Sequence, residues 1–352
     1  MKRSFFMMLF MVLAGVSVAC TTFLMEHQGH YYFGRNYDWV SGNGMLVVNN
    51  RYLQKASAHD PSLQWTSNFG SISFNQFGKE FPTGGMNEKG LVVELMWLDE
   101  TQYPEADKRG AVNVLQWIQY QLDCSATIED VIASDQLIRI TSNDSPPLHY
   151  LIADASGNTA TIEFLNGKMV VHKGKDLPYP VLSNSTYANS VRQADPQIKE
   201  GQTPSFDDNS IQRFAQVCTM LSQYRTTHTG KPVDNAFSIL DHVSQGDYTK
   251  WRIVYDITGR QVHFTSSGAE GRKTLAMKSF SFNCQDPSYY LDLNHMATGS
   301  MDQKMLHLSP ETNKKILEKS VQETKSRLSI SPASIAIALD QFKAPNCDAG
   351  KK

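Results

Sequence analysis

The chain has 352 residues, 41% hydrophobic and 19% charged, with a formal net charge of -2. That length and apolar content can bury a sizeable core, as one large domain or two small ones, and the near-neutral balance leaves no electrostatic footprint for nucleic acid or an anionic membrane surface. Clusters of the CxxC or HExxH kind are absent and the ten histidines are scattered, so no metal is expected, and the chemistry read below implies no organic cofactor.

The first residues, Met1-Lys2-Arg3 and the apolar run to Val18, have the charged and apolar regions of a secretory signal. They predict a signal peptide over 1–19 and a secreted or periplasmic protein. Cleavage after Ala19, at the end of Val16-Ser17-Val18-Ala19, would make Cys20 the first residue of the mature chain. Two other readings share this leader. One is a retained anchor. The other is a lipoprotein signal, which also ends before a Cys but usually carries Leu where Ser17 stands. A lipidated Cys20 has neither a free thiol nor a free amine, and would mark a non-catalytic binding protein. No other run is long enough to cross a membrane.

After Cys20, alternation in Thr22-Leu24-Glu26 and Tyr31-Phe33 around His27-Gln28-Gly29-His30 predicts a hairpin. It returns the chain to its starting end, with Arg35 and Asp38 beside Cys20. Residues 45–75 mix short strands with polar turns, Phe81–Gly90 is turn-rich, and Leu91–Leu98 reads as a buried strand. Ala111, Val114, Leu115, Ile118 and Leu122 recur at helical spacing and predict a helix over Ala111–Asp123; a short one follows over Thr127–Ser134. Strands are expected at Leu148–Ala153, Thr159–Leu165 and Lys168–His172, with turns at Ser156-Gly157-Asn158 and Asn166-Gly167, and a short one at Val181-Leu182.

Ala194–Ser210 is polar and reads as a loop. Ile211, Phe214, Val217 and Leu221 mark a helix capped by Asn209 or Ser210, and Asp234–Val243 another. Trp251–Thr258 and Gln261–Thr265 form a last hairpin, and Ser309-Pro310-Glu311 opens a charged helix with Leu317, Val321, Thr324 and Leu328 on one side. This mixture fits an α+β chain with helices covering an antiparallel sandwich better than alternating βαβ units. Of the five cysteines, Cys124, Cys218, Cys284 and Cys347 remain if Cys20 is kept for chemistry. They allow three pairings. Cys284 with Cys347, which flank the C-terminal segment, is the first choice, against buried free thiols throughout.

A cysteine at a new N-terminus carries a nucleophile and a base on one residue. Its thiolate attacks a carbonyl, and its own α-amine, partly neutral near physiological pH, takes the proton. Arg35 would favour the thiolate or hold a polar part of the substrate. Asp38 would orient the amine.

Cys20 followed by Phe33-Gly34-Arg35-Asn36-Tyr37-Asp38-Trp39 resembles the choloylglycine hydrolase family. That family includes conjugated bile acid hydrolases and penicillin V acylases and belongs to the N-terminal-nucleophile (Ntn) hydrolases, which cleave linear amides. Met86-Asn87-Glu88-Lys89-Gly90-Leu91 is similar to its next signature, and the oxyanion-hole position that follows falls on Trp97, where the family usually has Asn or Tyr. The main-chain N–H of Trp97 would still serve, but its side chain would not replace an amide. Val181-Leu182-Ser183-Asn184-Ser185 resembles the segment whose Asn, here Asn184, completes the oxyanion hole; Asn184-Ser185-Thr186 is also a glycosylation sequon. Ser210-Ile211-Gln212-Arg213-Phe214 resembles the helix start that supplies a catalytic-cluster Arg, here Arg213. Thr249-Lys250-Trp251 and His149-Tyr150 are weaker echoes.

The resemblance spans Cys20 to Thr265. It implies a four-layer αββα sandwich of antiparallel sheets over a domain of residues 20–352, attack by Cys20 through a thioester, and tetramers as a common assembly. Implied substrates are small-molecule amides: penicillin V-like, N-acyl or bile acid conjugates. Trp97 and export favour an aromatic or fatty acyl group over bile salts. Residues 266–352 match none of the signatures and are expected to act as a clasp, an oligomer contact or a lid.

Overall fold

In the computed structural model, residues 19–142, 145–201, 203–227, 229–342, 346–348 and 350 are described. The leader over 1–19 therefore lies outside the described residues, apart from Ala19, which is buried. The first hairpin forms as expected, because Gln28 (φ 51°) and Gly29 (φ 80°) close the turn between paired His27 and His30. Two successive positive-φ residues give the turn whose twist matches the strands. Asn166 (φ 52°) and Gly167 (φ 73°) do the same between Leu165 and Lys168.

β1 (Thr21–His27) and β2 (His30–Asp38) are followed by β3 (Met45–Asn49), β4 (Gln54–Ala56), β5 (Gln64–Thr66), β6 (Ser71–Asn75), β7 (Pro82–Asn87) and β8 (Val92–Trp97). β9 (Gly110–Val112) leads into α1 (Val114–Cys124) and α2 (Ile128–Ala133), and β10 (Ile138–Ile140) returns parallel to β9. Next come β11 (Leu148–Ala153), β12 (Thr159–Leu165), β13 (Lys168–Lys173) and β14 (Val181–Leu182). The helices α3 (Tyr187–Lys199), α4 (Asn209–Thr227) and α5 (Pro232–His242) follow. β15 (Thr249–Asp256), β16 (Gln261–Ser266) and β17 (Ala269–Ala276) form a meander. After β18 (Tyr289–Asp292), β19 (Gly299–Ser300) and β20 (Leu306–His307), the described elements end with α6 (Pro310–Thr324) and α7 (Pro332–Asp340).

Two sheets carry the fold. One runs β14-β1-β2-β15-β16-β17-β19, the other β13-β12-β11-β8-β7-β6-β3-β18-β20. Their described pairs are antiparallel except β17 with β19. The sheets face each other through aromatic side chains: Phe74 of β6 meets Trp251 and Tyr255 of β15 at ring separations of 6.3 and 6.2 Å. α4 and α5 cover the outside of the first sheet and α1 the outside of the second, where Trp117 packs on Tyr150 at 4.5 Å. These are the four αββα layers. Among the described residues no helix is long and apolar enough to cross a membrane.

Several local expectations are corrected. Ala194–Lys199 is helical, not loop: α3 runs on through Pro196 because Tyr187, Ser190 and Ala194 form a buried row against α4. Packing of that row outweighs the poor propensity of its polar face. The predicted helix at Ala111 starts at Val114, with Asn113 accepting from the Leu115 N–H at 2.8 Å, because 110–112 pairs with β10. α4 is capped by neither Asn209 nor Ser210. Asp208 accepts from the Ser210 N–H at 2.8 Å, which leaves both side chains to face inward. The hairpin of β15 and β16 is not the last, since β17 extends it. Cys284 and Cys347 are bridged, and Cys20, Cys124 and Cys218 form no disulfide.

Candidate active site

Cys20 stands at the foot of β1, and the β1–β2 register, Thr21 opposite Asn36, sets it against the end of β2. Its Sγ donates to the Asp38 main-chain O at 3.7 Å, and the residue is 3% exposed. Burial pushes the Cys20 thiol up, and the nearby Asp38 charge adds to this, while the Arg35 and Arg213 guanidiniums pull it back. With Ala19 attached, burial outweighs the pull of Arg35 towards the thiolate, and the thiol is the resting form. Asp38 is fixed across the strands: Thr249, its partner on β15, donates its hydroxyl to Asp38 Oδ1. The other oxygen, Oδ2, is buried with no hydrogen-bond partner among the described residues. Burial lifts this carboxyl to about 6, against the Thr249 hydrogen bond and the charges of Arg213 and Arg35.

Arg35 comes close enough to Cys20 for its charge to act on the thiol, as expected, but it is fully buried and is not among the residues lining the cavity that Cys20 opens into. β7 and β8 pair as far as Gly84 and Glu94 and then part. Arg35 fills the gap, donating to Thr83 O at 2.8 Å and Leu95 O at 3.1 Å and forming a buried ion pair with Glu94. Tyr255 donates its hydroxyl to the other Glu94 oxygen. Burial raises the Glu94 carboxyl and the Arg35 charge opposes it. A Cβ on Gly84 would collide with the Glu94 carboxylate, which explains why this position carries no side chain. Glu94 was not among the residues singled out in the sequence. Its signal was a carboxylate inside the apolar strand Val92–Trp97, but the partner comes from a different sheet.

Asn184 and Arg213 meet as the resemblance implied. Arg213, in the first turns of α4, is 2% exposed and donates to the Cys20 carbonyl O, to Thr21 Oγ1 and, at 3.0 Å, to Asn184 Oδ1. Asn209 Oδ1 accepts from its Nε at 2.9 Å. Because guanidinium only donates, the Asn184 atom facing it is the oxygen, and Nδ2 points the other way, to Trp97 O at 2.8 Å. One of the two Asn184 N–H bonds is thus taken and one remains. Ser210 Oγ holds the Asn184 N–H at 2.9 Å and also meets the Ser183 and Ser185 hydroxyls. His149 Nε2 lies 2.8 Å from Ser183 O and its Nδ1 3.2 Å from Glu163. Of the two weak echoes, Thr249 bonds Asp38 directly, while His149 reaches Ser183, the neighbour of Asn184.

Trp97 is half-buried, its indole stacked on Trp39 at 6.2 Å and its Nε1 donating to Asp99 at 2.6 Å. The neighbouring Leu98 N–H bonds Pro147 O at 3.0 Å. Antiparallel alternation then turns the Trp97 N–H away from β11, to the side where β7 has ended. Cys20, Asp38, Trp39 and Trp97 line one cavity of about 310 Å³, otherwise walled mainly by apolar side chains such as Phe77, Phe81, Leu95 and Leu115. Its remaining wall is the C-terminal segment, with Leu317, Leu328, Ile330, Ile335 and Ala338.

The family model described as linear amide C–N hydrolases, choloylglycine hydrolase family, matches residues 20–222. The penicillin V acylase of Pectobacterium atrosepticum is 33% identical over 192 residues, covering 49% of this chain and 50% of that protein. The chain thus spans about half the length of the curated relative it matches. The penicillin V acylase structure from Agrobacterium tumefaciens aligns with a TM-score of 0.72 at 24% identity, over 83% of this chain and 98% of that one. A variant of the conjugated bile acid hydrolase from Clostridium perfringens aligns with a TM-score of 0.67 at 16% identity, over 79% and 98%. At these identities the structural likeness speaks for the fold.

Proposed function

Because the chain belongs to the choloylglycine hydrolase family of linear amide C–N hydrolases, we propose that it is an exported amidohydrolase with Cys20 as nucleophile. Its substrate carries an apolar aryl or fatty acyl group on an amide, as in penicillin V-like or N-acyl amides. The observation that carries this is the Cys20 thiol on the lining of a largely apolar cavity of about 310 Å³, with Asp38 in the same lining. That volume is at the small end of ligand clefts and suits an aryl or fatty acyl group.

Removal of the leader after Ala19 frees the Cys20 α-amine, whose N–H would go to Asp38 Oδ2, the carboxylate oxygen that has no hydrogen-bond partner among the described residues. The amine takes the thiol proton as sulfur attacks the carbonyl carbon. The oxyanion accepts from the remaining Asn184 N–H and from the Trp97 main-chain N–H; one such donor is worth about 3 kcal/mol of barrier. The C–N bond then breaks, the proton leaves with the departing amine, and water cleaves the thioester with the α-amine as base. Arg213 supports this as a positioning residue, since it holds both the Cys20 carbonyl and the Asn184 amide. Burial of Cys20 favours the nucleophile over a lipid anchor, which needs the sulfur at an open surface.

The test is the mature protein against Cys20→Ala on a panel of acyl amides, with intact mass of the exported protein. Hydrolysis lost in Cys20→Ala, on a chain starting at unmodified Cys20, is the expected result. Equal activity in both, or a diacylglyceryl group on Cys20, ends the proposal.

A further inference from the structure

The cavity at Cys20 has two kinds of wall. One is built from the two sheets and α1. The other is α6 and α7, which lie beyond residue 222, where the family match ends. The two helices are held in different ways. α6 is tied to the core along its length. Asn313 Oδ1 accepts from the Lys79 N–H at 2.8 Å, and Asn43 Nδ2 donates to Ile316 O at 2.9 Å and to Ser320 Oγ at 2.7 Å. Ser41 adds a hydrogen bond to Glu323 at 2.5 Å. Ser41 and Asn43 sit in the loop that follows Asp38, so α6 is fixed relative to the nucleophile.

α7 is held mainly at its ends and by packing. It contacts α6, and the chain after it is pinned by the Cys284–Cys347 bridge. Main-chain bonds also pin it, from Gln54 N to Asn346 O at 3.0 Å and from Asp348 N to Tyr52 O at 2.8 Å. Ile335 and Ala338, with Ser334 and Ile337, line the cavity from α7, together with Leu317 and Leu328 of the preceding segment. Ala338 is small and buried, at 8% exposure. No charged residue of α7 lines the cavity.

We propose that α7 is the acyl-selecting wall of this site: Ile335 and Ala338 set how long or bulky an apolar acyl group fits, and the Cys284–Cys347 clamp keeps that wall in place. This rests on the amidohydrolase reading for the choice of substrate, but the wall itself is tested by binding as well. A bulky side chain at 338 shortens the cavity and a small one at 335 deepens it. A methylene more or less in such a pocket shifts discrimination by about 10–200-fold.

The experiment compares octanoyl and acetyl p-nitroanilides with wild type, Ala338→Trp and Ile335→Ala. Ala333→Trp, on the exposed side of α7 and outside the lining, is the control. The octanoyl-to-acetyl ratio of kcat/KM is expected to fall about tenfold or more in Ala338→Trp and to rise in Ile335→Ala, with the control ratio unmoved. In parallel, Cys20→Ala protein with and without each α7 substitution is titrated with a dansylated fatty acid, and Ala338→Trp is expected to weaken binding about tenfold. If the wild type cleaves no acyl amide, the hydrolase reading fails while the binding arm still decides the wall. Ratios and dissociation constants that stay within about twofold in both lining variants overturn the proposal. Should Ala338→Trp fail to fold, Ile335→Ala decides by itself.

Discussion

Replacing Glu94 by Gln removes one charge and almost no volume. Tyr255 keeps an oxygen to donate to, and Arg35 keeps Thr83 O and Leu95 O. What disappears is the neutralising charge beside a guanidinium that is wholly out of water. Breaking one side of a buried ion pair costs about 3–5 kcal/mol, because the other charge is stranded. Against a total stability of about 5–15 kcal/mol, a loss of that size is easily measured. In urea, the unfolding midpoint should drop with the slope unchanged. The double variant Arg35→Met with Glu94→Gln should recover most of the loss, since an apolar replacement leaves no unpaired charge. A loss under about 1 kcal/mol for the single variant, the level of an exposed pair, would refute the reasoning. So would a double variant as unstable as the single.

Asp38 should make the chain that retains Ala19 less stable at high pH. Its folded carboxyl lies at about 6, above its unfolded value, so its contribution is complete below about pH 4 and is lost as pH rises through 6, about 3 kcal/mol in all. Urea titrations at pH 4 and 8 should show that drop in wild type and not in Asp38→Asn; parallel drops would refute it. Cutting after Ala19 should shrink the drop, because the freed amine gives Oδ2 a cationic neighbour. His149→Phe should leave Ser183 O without the imidazole, while Glu163 keeps the Tyr187 N–H, for about 1–3 kcal/mol of stability. By loosening Asn184 it should also lower kcat towards the 10²–10³-fold loss of a missing oxyanion donor. His149→Gln should restore part of kcat, and equal kcat in wild type and His149→Phe would remove His149 from the site.

Local pattern was enough for the first hairpin and most strand positions, while the Cys284–Cys347 bridge was a first choice that only the fold decided against free thiols. Alternation, positive-φ turns and cysteine placement act within a few residues or through a small set of pairings. Short motifs were also enough to bring Cys20, Asp38, Trp97, Asn184 and Arg213 into consideration, because each sits next to a turn or helix start that is itself recognisable. The errors fell where packing outweighed propensity. α3 continues through Pro196 because its buried row meets α4, and Asp208 rather than its neighbours caps α4 because Asn209 and Ser210 face inward.

Two features were out of reach of any local pattern. Glu94 pairs with Arg35 across two sheets, and the cavity is closed by helices nearly 300 residues after Cys20. Short motifs therefore carried the likeness to the family and brought Cys20 forward as the proposed nucleophile, and short-range periodicity placed most of the strands. Which charges neutralise one another and which apolar faces enclose the cavity at Cys20 were decided only by the tertiary structure. The physical reason is that Coulomb pairing and burial depend on distance through space, and folding brings together residues that their order along the chain keeps far apart.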